Sequence, residues 1–188
     1  MNKRHADFDE ARARALKNDN FGFRYCPRCR REMVKGILDD TERLYCPDEN
    51  CGFVYYHNPV PAAGAIVVKD DRILMVKRAH PPRIGDWCIP AGFMEWQEHP
   101  SDTAVRELEE ETGFKVKLTS FFEVYSGKDD ARTNALLLLY LADIVGGEMR
   151  AADDAEEVAW FGFDELPDNI AFEAHIQALE DYQRRVRD

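Results

Sequence analysis

The chain has 188 residues, 45% of them hydrophobic, and a formal net charge of −11. This length and composition predict one medium domain with a small appended module, built around its own hydrophobic core. The acidic balance argues against a wide basic surface for nucleic acid, and the sequence shows neither an apolar run of membrane-spanning length nor a signal-peptide core. We therefore expect a cytoplasmic protein that binds neither nucleic acid nor a membrane.

The N-terminal part of the chain divides into a charged helix, predicted within residues 1–20 near Phe8–Lys17, and a cysteine-containing module at residues 21–58. The module holds two close cysteine pairs separated by sixteen residues, Cys26 with Cys29 and Cys46 with Cys51. Four thiolates at this spacing form a closed tetrahedral site for Zn²⁺, whereas a reducing cytosol disfavours disulfides. The pattern predicts a zinc ribbon whose Zn²⁺ has a structural role.

Residues 59–188 are predicted to form the main domain, in which helices and strands are interleaved. The fifth cysteine, Cys88, lies in an apolar patch and is expected to be a small core residue rather than a nucleophile. The predicted elements are hairpin strands Ala65–Lys69 and Ile73–Lys77 around Asp70-Asp71, strands Ala135–Ile144 and Glu157–Phe161, and a C-terminal helix from Ala171 with Ile176, Leu179 and Val186 on its core-facing side.

A segment rich in glutamate, Gly92–Phe114, has the sequence GFMEWQEHPSDTAVRELEEETGF. Ser101 follows a proline and predicts the N-cap of a helix over residues 102–112. Gly113 is expected to end that helix, because glycine readily adopts the left-handed conformation of a C-terminal cap.

Three glutamates of this helix, Glu107, Glu110 and Glu111, stand at positions i, i+3 and i+4 and therefore share one face. Like charges at this spacing destabilise an exposed helix by about 0.2–0.5 kcal/mol per pair, and a hard divalent cation compensates for them. Arg106 reaches Glu110 across one helical turn. The alternative is that these glutamates form a solvated acidic face. The fixed spacing of the flanking glycines argues against this alternative. The pattern indicates a site for Mg²⁺ or Mn²⁺.

The segment fills every position of the Nudix box, so the chain resembles the Nudix hydrolase family. The matching residues are Gly92, Glu98, Arg106, Glu107, Leu108, Glu110, Glu111, Gly113 and Phe114. The resemblance implies an α/β fold, an α/β/α sandwich with a mixed sheet, in which the box forms a loop, a helix and a loop. It also implies that Glu107, Glu110 and Glu111 are side-chain ligands of the catalytic metal, with Ala91 as a carbonyl ligand, Glu98 orienting the loop and Arg106 holding the glutamates.

The family's chemistry is metal-dependent hydrolysis of the diphosphate bond in a nucleoside diphosphate linked to another group, by in-line attack of water on phosphorus. The attacking water needs a general base, for which a box glutamate or Glu157 is a candidate. On a regular strand Glu156 faces away from Glu157, so only one of the two points into the site. The alternative for Glu157 is a surface ion pair.

The ribbon followed by the box is similar to the NADH pyrophosphatase group, which carries a Ser-Gln-Pro-Trp-Pro-Phe-Pro run downstream of the box. Here the corresponding residues, Thr119–Ser126, read TSFFEVYS, and the run is absent. The chain therefore resembles more closely the ribbon-bearing Nudix enzymes that act on FAD and ADP-ribose, such as the plant FAD pyrophosphatases. The expected substrate is a small dinucleotide or nucleotide sugar, FAD, ADP-ribose or NADH, with AMP as one product, and the family implies a homodimer.

Five residues outside the box are candidates for substrate binding. Arg78, Lys128 and Arg132 are expected to contact the phosphates, because cationic side chains form charge-assisted hydrogen bonds with phosphate oxygens. Tyr125 and Phe172 are expected to stack on adenine or flavin. For a single Tyr or Phe the alternative is a place in the core.

Two other functions compete with this interpretation. A house-cleaning hydrolase of oxidised nucleoside triphosphates uses the same box with a smaller base pocket and needs no ribbon. A ribbon-bearing regulator that senses a metabolite commonly loses the box residues and needs a basic surface, so the complete box and the acidic chain favour an enzyme.

Overall fold

The computed structural model describes residues 23–127 and 134–187. The chain separates into two compact units, Met1–Asn58 and Pro59–Asp188. Within the described ranges no helix has the length and apolar character needed to cross a membrane.

Some of the predicted features lie outside the described residues. They are the helix near Phe8–Lys17, the phosphate-binding candidates Lys128 and Arg132, and the side chain of Val186.

The described part of the first unit is a small antiparallel sheet. Its strands are β1 (Val34–Leu38), β2 (Thr41–Tyr45) and β3 (Val54–Tyr55), in that order. The β1–β2 turn places Asp39 and Asp40 at φ 51° and 58°, the positive values that a two-residue hairpin turn requires. Beneath the sheet lies a small core of Cys26, Met33, Leu44 and Cys46. Two of the four paired cysteines are therefore among the most buried residues of this unit.

The second unit is built on a mixed seven-stranded sheet. Strands β10, β5, β4, β9 and β8 lie side by side in that order, β6 pairs with β5, and β7 pairs with β4. The pairing of β4 with β9 is parallel and the others are antiparallel. The strands are β4 (Val60–Lys69), β5 (Arg72–Arg78), β6 (Trp87–Cys88), β7 (Ala91–Phe93), β8 (Phe114–Gly127), β9 (Ala135–Gly147) and β10 (Ala155–Gly162).

The predicted hairpin and the two later strands are confirmed, each with longer strands than the sequence indicated. Asp70 and Asp71 turn the chain at φ 51° and 59°, and Lys69 pairs with Arg72 on either side of them. The long strand β8 was not predicted. Its pairing with β9 shifts register at three places, and such irregularities break the two-residue alternation by which a strand is recognised in a sequence.

Two helices cover the two faces of the sheet. Helix α1 (Pro100–Thr112) packs Leu108 against one face, and helix α2 (Glu173–Tyr182) packs Leu179 against the other, with a π-helical turn following at Gln183–Arg187. Neighbouring residues of β4 lie on opposite faces of the sheet, because Ala65 belongs to the core on the α1 side and Ile66 to the core on the α2 side. This is the predicted α/β/α sandwich with a mixed sheet.

The ends of α1 agree only in part with the sequence interpretation. Gly113 ends the helix at φ 75° and its N–H donates to the Glu109 carbonyl at 2.9 Å, as predicted. The predicted N-cap, Ser101, is wrong. The helix begins at Pro100, so the cap is His99, whose Nδ1 accepts the Ser101 N–H at 3.3 Å.

The core-facing side of α2 also differs from the predicted one. Leu179 is buried as expected, but Ile176 is only half-buried, and the other buried residues are Ala174, His175 and Ala178. Ala174 and Ala178 belong to the core on this side of the sheet together with Leu179.

Candidate active site

Strand β7, which leads into the loop before α1, lies close against the helix at Gly92. A Cβ built on Gly92 would lie 2.2 Å from the Glu107 carboxyl carbon, so any other residue here would displace the Glu107 carboxylate from its present position. On the opposite side, β4 passes the same loop at Gly64, where a Cβ would meet the Pro90 carbonyl oxygen at 2.3 Å. The backbone at Pro90–Gly92 is therefore held between β4 and the glutamate face of α1.

Arg106 is the centre of an ion-pair network. Its Nε donates to Glu98 Oε1 at 2.6 Å, and its Nη1 donates to Glu107 Oε1 at 2.7 Å and to Glu110 Oε2 at 2.9 Å. Nη2 donates to the Phe93 carbonyl at 3.2 Å. The hydrogen bond from Arg106 lowers the pKa of Glu98 to about 2. One guanidinium thus fixes the loop and two carboxylates of the helix.

Glu111 differs from the other box glutamates because it is buried, with only 4% of its surface exposed. Its Oε2 accepts the Ala91 N–H at 3.1 Å. Burial, followed by the charge of Glu107, raises the pKa of Glu111 to about 8. Burial also raises the pKa of Glu107. A positive charge beside these two carboxyl groups would favour the ionised form of both.

The donor set fits a hard divalent cation such as Mg²⁺ or Mn²⁺. Glu107, Glu110 and Glu111 offer carboxylate oxygens, the ligand type that these ions prefer. Their oxygens are drawn apart, since Glu107 and Glu110 bind Arg106 while Glu111 binds the Ala91 amide. The repulsion between the carboxylates favours a cation at this point.

Arg78 and Phe172, two of the residues predicted to bind substrate, contact each other. The Arg78 guanidinium carbon lies 5.1 Å from the centre of the Phe172 ring. Nε of Arg78 donates to the Pro82 carbonyl at 2.7 Å, and Nη2 is 3.4 Å from the His80 carbonyl. Arg78 also opposes the rise in the pKa of Glu111, which places its charge near the buried carboxylate. The pair therefore adjoins the glutamate site.

Tyr125 lies in the core instead of at the site surface. It is 5% exposed, and its hydroxyl donates to Asp181 Oδ2 at 2.9 Å. The residue belongs to the face of β8 that packs on α2. The predicted stacking role does not fit this position, and the alternative reading of a core aromatic does.

Glu156 and Glu157 approach the same lysine. Their carboxylates lie 3.8 Å and 3.6 Å from Lys77 Nζ. The expectation that they face opposite sides is wrong, because a register shift between Ala155 and Glu157 interrupts the alternation of β10. Glu157 remains a predicted general base, with an ion pair to Lys77 as its observed contact.

The sequence interpretation missed two groups beside the box. The charge of Asp153 raises the pKa of Glu107 and that of Asp154 raises the pKa of Glu111, so both aspartates lie near the glutamate face. The adjacent acidic pair before a predicted strand was the available signal. The other is His175, whose Nδ1 accepts the Ile89 N–H at 3.0 Å and whose pKa burial lowers to about 3.

The four paired cysteines form a second candidate metal centre. Among the described residues they are the only group of three or more Cys, His, Asp or Glu side chains whose ligand atoms all lie within 4.8 Å of one another. The sulfur atoms of Cys26 and Cys51 are 3.6 Å apart, and those of Cys29 and Cys46 are 3.3 Å apart. Thiolates gathered this closely fit a tetrahedral structural Zn²⁺ site.

Cys88 is separate from that cluster. It is 2% exposed, and burial raises the pKa of its thiol to about 12. This confirms a core residue rather than a nucleophile.

A mixed-sheet sandwich that carries this glycine loop and glutamate helix defines a hydrolase of phosphoanhydride bonds. The NUDIX domain model matches residues 58–182, and the chain belongs to the Nudix family.

Three similar proteins illustrate the family. An ADP-ribose pyrophosphatase from Methanocaldococcus jannaschii is 38% identical over 130 residues, 69% of this chain and 76% of that protein. The NAD-capped RNA hydrolase NudC from Vibrio parahaemolyticus is 29% identical over 147 residues, 77% of this chain but only 53% of that protein, so the chain spans about half of its length. The crystal structure of a Nudix hydrolase from Nitrosomonas europaea has a TM-score of 0.75 and 30% identity, covering 88% of this chain and 93% of that one.

Proposed function

We propose that this protein hydrolyses the diphosphate bond of an ADP-containing dinucleotide, with ADP-ribose as the first candidate. Water adds to one phosphorus, the bridging oxygen leaves with the electron pair of the broken bond, and the products are AMP and ribose 5-phosphate. The observation that carries the proposal is the set of three glutamates around Arg106, next to a glycine loop. The similarity to an ADP-ribose pyrophosphatase supports this substrate class.

In this proposal, Glu107, Glu110 and Glu111 hold Mg²⁺ or Mn²⁺, with the Ala91 carbonyl as a further ligand. When bound, the cation neutralises diphosphate charge and acidifies water.

The protein's own residues position this chemistry. Arg106 orients Glu107 and Glu110, while Glu98 binds the guanidinium from the loop side. Glu111 fixes the backbone at Ala91 by accepting a hydrogen bond from the Ala91 N–H. A box glutamate or Glu157 takes the proton from the attacking water, and Arg78, packed against the Phe172 ring, contacts the phosphates.

The ADP group is shared by ADP-ribose, FAD and NADH, so the proposed site would bind the part that is common to all three. The NudC relative is named for a further substrate, NAD-capped RNA, whereas the acidic sequence predicts that this protein binds no nucleic acid. A substrate panel therefore includes such an RNA.

The experiment is run with Mg²⁺ and measures AMP formed from ADP-ribose, FAD and NADH. For NAD-capped RNA it measures the nicotinamide mononucleotide released, and for the triphosphate 8-oxo-dGTP the pyrophosphate released. Glu111→Gln is compared with Glu109→Gln, a neighbour on the same helix that lies 4.0 Å from Lys115. We expect Glu111→Gln to lose about 10²–10³-fold in kcat, because the cation that would stabilise the transition-state charge loses one of its proposed ligands. Glu109→Gln should keep wild-type rates.

The outcomes separate the competing functions. Preference for 8-oxo-dGTP would favour a house-cleaning hydrolase, and turnover of capped RNA would overturn the predicted absence of nucleic-acid substrates. Binding without turnover of any compound would favour a metabolite sensor. Sedimentation of the same sample tests the proposed homodimer.

A further inference from the structure

Trp96 lies in the box loop between Gly92 and Glu98, and it is 96% exposed. It is the most exposed large hydrophobic residue among those described, and the nearby Phe93 is 52% exposed. Indole rings normally bury much of their large apolar surface in a core or an interface. Two exposed aromatic rings on the segment that precedes the glutamate helix are available to contact a ligand of that site.

The backbone that carries Trp96 is fixed on both sides. The Glu95 N–H donates to Glu98 Oε2 at 3.0 Å, and the Glu98 N–H donates to the Glu95 carbonyl at 3.1 Å. The Met94 N–H donates to the Pro61 carbonyl of β4 at 3.1 Å. The exposed ring therefore projects from a tight turn that is anchored to the sheet.

This turn is directly connected to the glutamate site. Glu98 binds Arg106, which in turn binds Glu107 and Glu110. Two residues of extended chain span at most about 7 Å, so the backbone of Trp96 lies within that distance of Glu98. The indole is therefore carried by the same loop that Arg106 joins to the glutamate face.

We propose that Trp96 is the stacking platform for the adenine of the substrate. The inference rests on the proposed function, because adenine is the base common to ADP-ribose, FAD and NADH. An aromatic face binds a base without requiring polar partners, and a side chain surrounded by solvent offers such a face. Of the two rings predicted for this role, Tyr125 is in the core and Phe172 is half-buried against Arg78.

The test compares Trp96→Ala and Trp96→Phe with wild type in ADP-ribose hydrolysis. We expect Trp96→Ala to raise KM about tenfold with kcat unchanged, since loss of one stacked base weakens binding by roughly this factor or more. Trp96→Phe, which keeps a smaller ring, should show a smaller rise. Phe121→Ala is the matched control, because Phe121 is an exposed aromatic of β8, 51% accessible, outside the box loop. An unchanged KM in Trp96→Ala would overturn the inference and leave the proposed function intact.

A binding measurement makes the test independent of turnover. Titration with AMP should quench the tryptophan emission of the wild type, and this quenching should be lost in Trp96→Phe. Ribose 5-phosphate, which has no base, should leave the emission unchanged. If the wild type hydrolyses none of the ADP compounds, the proposed function fails and the AMP titration alone decides the role of Trp96.

Sedimentation of wild type and Trp96→Ala tests the other possible occupant, a second copy of the chain. An unchanged oligomeric state agrees with the stacking role. Dissociation of the Trp96→Ala variant would show that the indole is covered by the partner chain and would overturn the inference.

Discussion

The guanidinium of Arg106 donates hydrogen bonds to Glu98, Glu107, Glu110 and the Phe93 carbonyl. Such a network fixes side-chain directions that would otherwise be free on an exposed helix face. Gly92 contributes in a different way, by having no side chain where the loop meets Glu107. At the residue scale, the site therefore depends both on charge and on an absent Cβ.

Gly92→Ala is expected to lower kcat/KM by about a hundredfold, because a misplacement of catalytic groups by about 1 Å has an effect of that size. The new Cβ would overlap the Glu107 carboxylate, 2.2 Å from its carbon. Steady-state kinetics with ADP-ribose measures the change. The control is Gly146→Ala, whose Cβ would have its nearest contact at 4.0 Å. Similar rates in both variants would contradict the close packing of the loop on Glu107.

His175 is expected to make stability fall as the pH decreases below about 6.5. Burial lowers its pKa to about 3, so the unfolded chain takes up a proton that the folded chain refuses. The stabilisation is complete above pH 6.5 and declines toward pH 3, by up to about 1.4 kcal/mol per pH unit. Urea unfolding between pH 7 and pH 4 measures the slope. His175→Gln should have a shallower slope than His57→Gln, an exposed control, and equal slopes would refute this role.

At the scale of elements, the two ends of α1 are determined differently. Gly113 ends the helix in the left-handed region at φ 75°, and it also lies against the chain that follows β9. A Cβ there would be 2.5 Å from the Glu148 carbonyl oxygen. The helix end is therefore set both by local conformation and by packing against a distant segment.

Gly113→Ala and Gly85→Ala separate these two effects. Gly85 has a similar φ of 84° but no atom within 4 Å of a built Cβ, so its substitution introduces conformational strain alone. We expect Gly85→Ala to destabilise the protein by about 1–2 kcal/mol. Gly113→Ala should cost a further 1–3 kcal/mol or so from overpacking. Thermal unfolding of both variants gives the comparison, and equal losses would show that the contact with Glu148 relaxes without cost.

At the scale of the whole molecule, the chain consists of two compact units with different means of stabilisation. The unit Pro59–Asp188 has two apolar cores, one on each side of its sheet. The described ribbon has a single small core that includes two of the four clustered cysteines. We therefore propose that residues 21–58 and 59–188 are separate domains and that the ribbon depends on its metal.

Removal of zinc is expected to unfold the ribbon and leave the second unit folded. Zinc binding contributes about 10–16 kcal/mol to comparable small domains, more than their cores supply. Limited proteolysis with mass spectrometry, before and after chelation, should show cleavage confined to the first unit. Cys29→Ser should lose the bound zinc, and Cys88→Ala, outside the cluster, should keep it. Loss of the second unit's melting transition on chelation would contradict the separation into domains.

The sequence by itself determined the features that depend on neighbouring residues. The Asp70-Asp71 turn, the helix stop at Gly113 and the contact of Arg106 with Glu110 follow from backbone preference and from spacing within one helical turn. The paired cysteines likewise indicated their cluster by spacing alone. These signals are local, so they can be recognised in the sequence without knowledge of the fold.

Only the tertiary structure decided the features that depend on register and on contacts between distant segments. It placed Tyr125 in the core opposite Asp181, brought Glu156 and Glu157 to one lysine through a bulge, and left Trp96 exposed. A residue's exposure is the result of everything that packs around it, and a single register shift reverses the direction of a side chain. Neither quantity is contained in a short stretch of sequence.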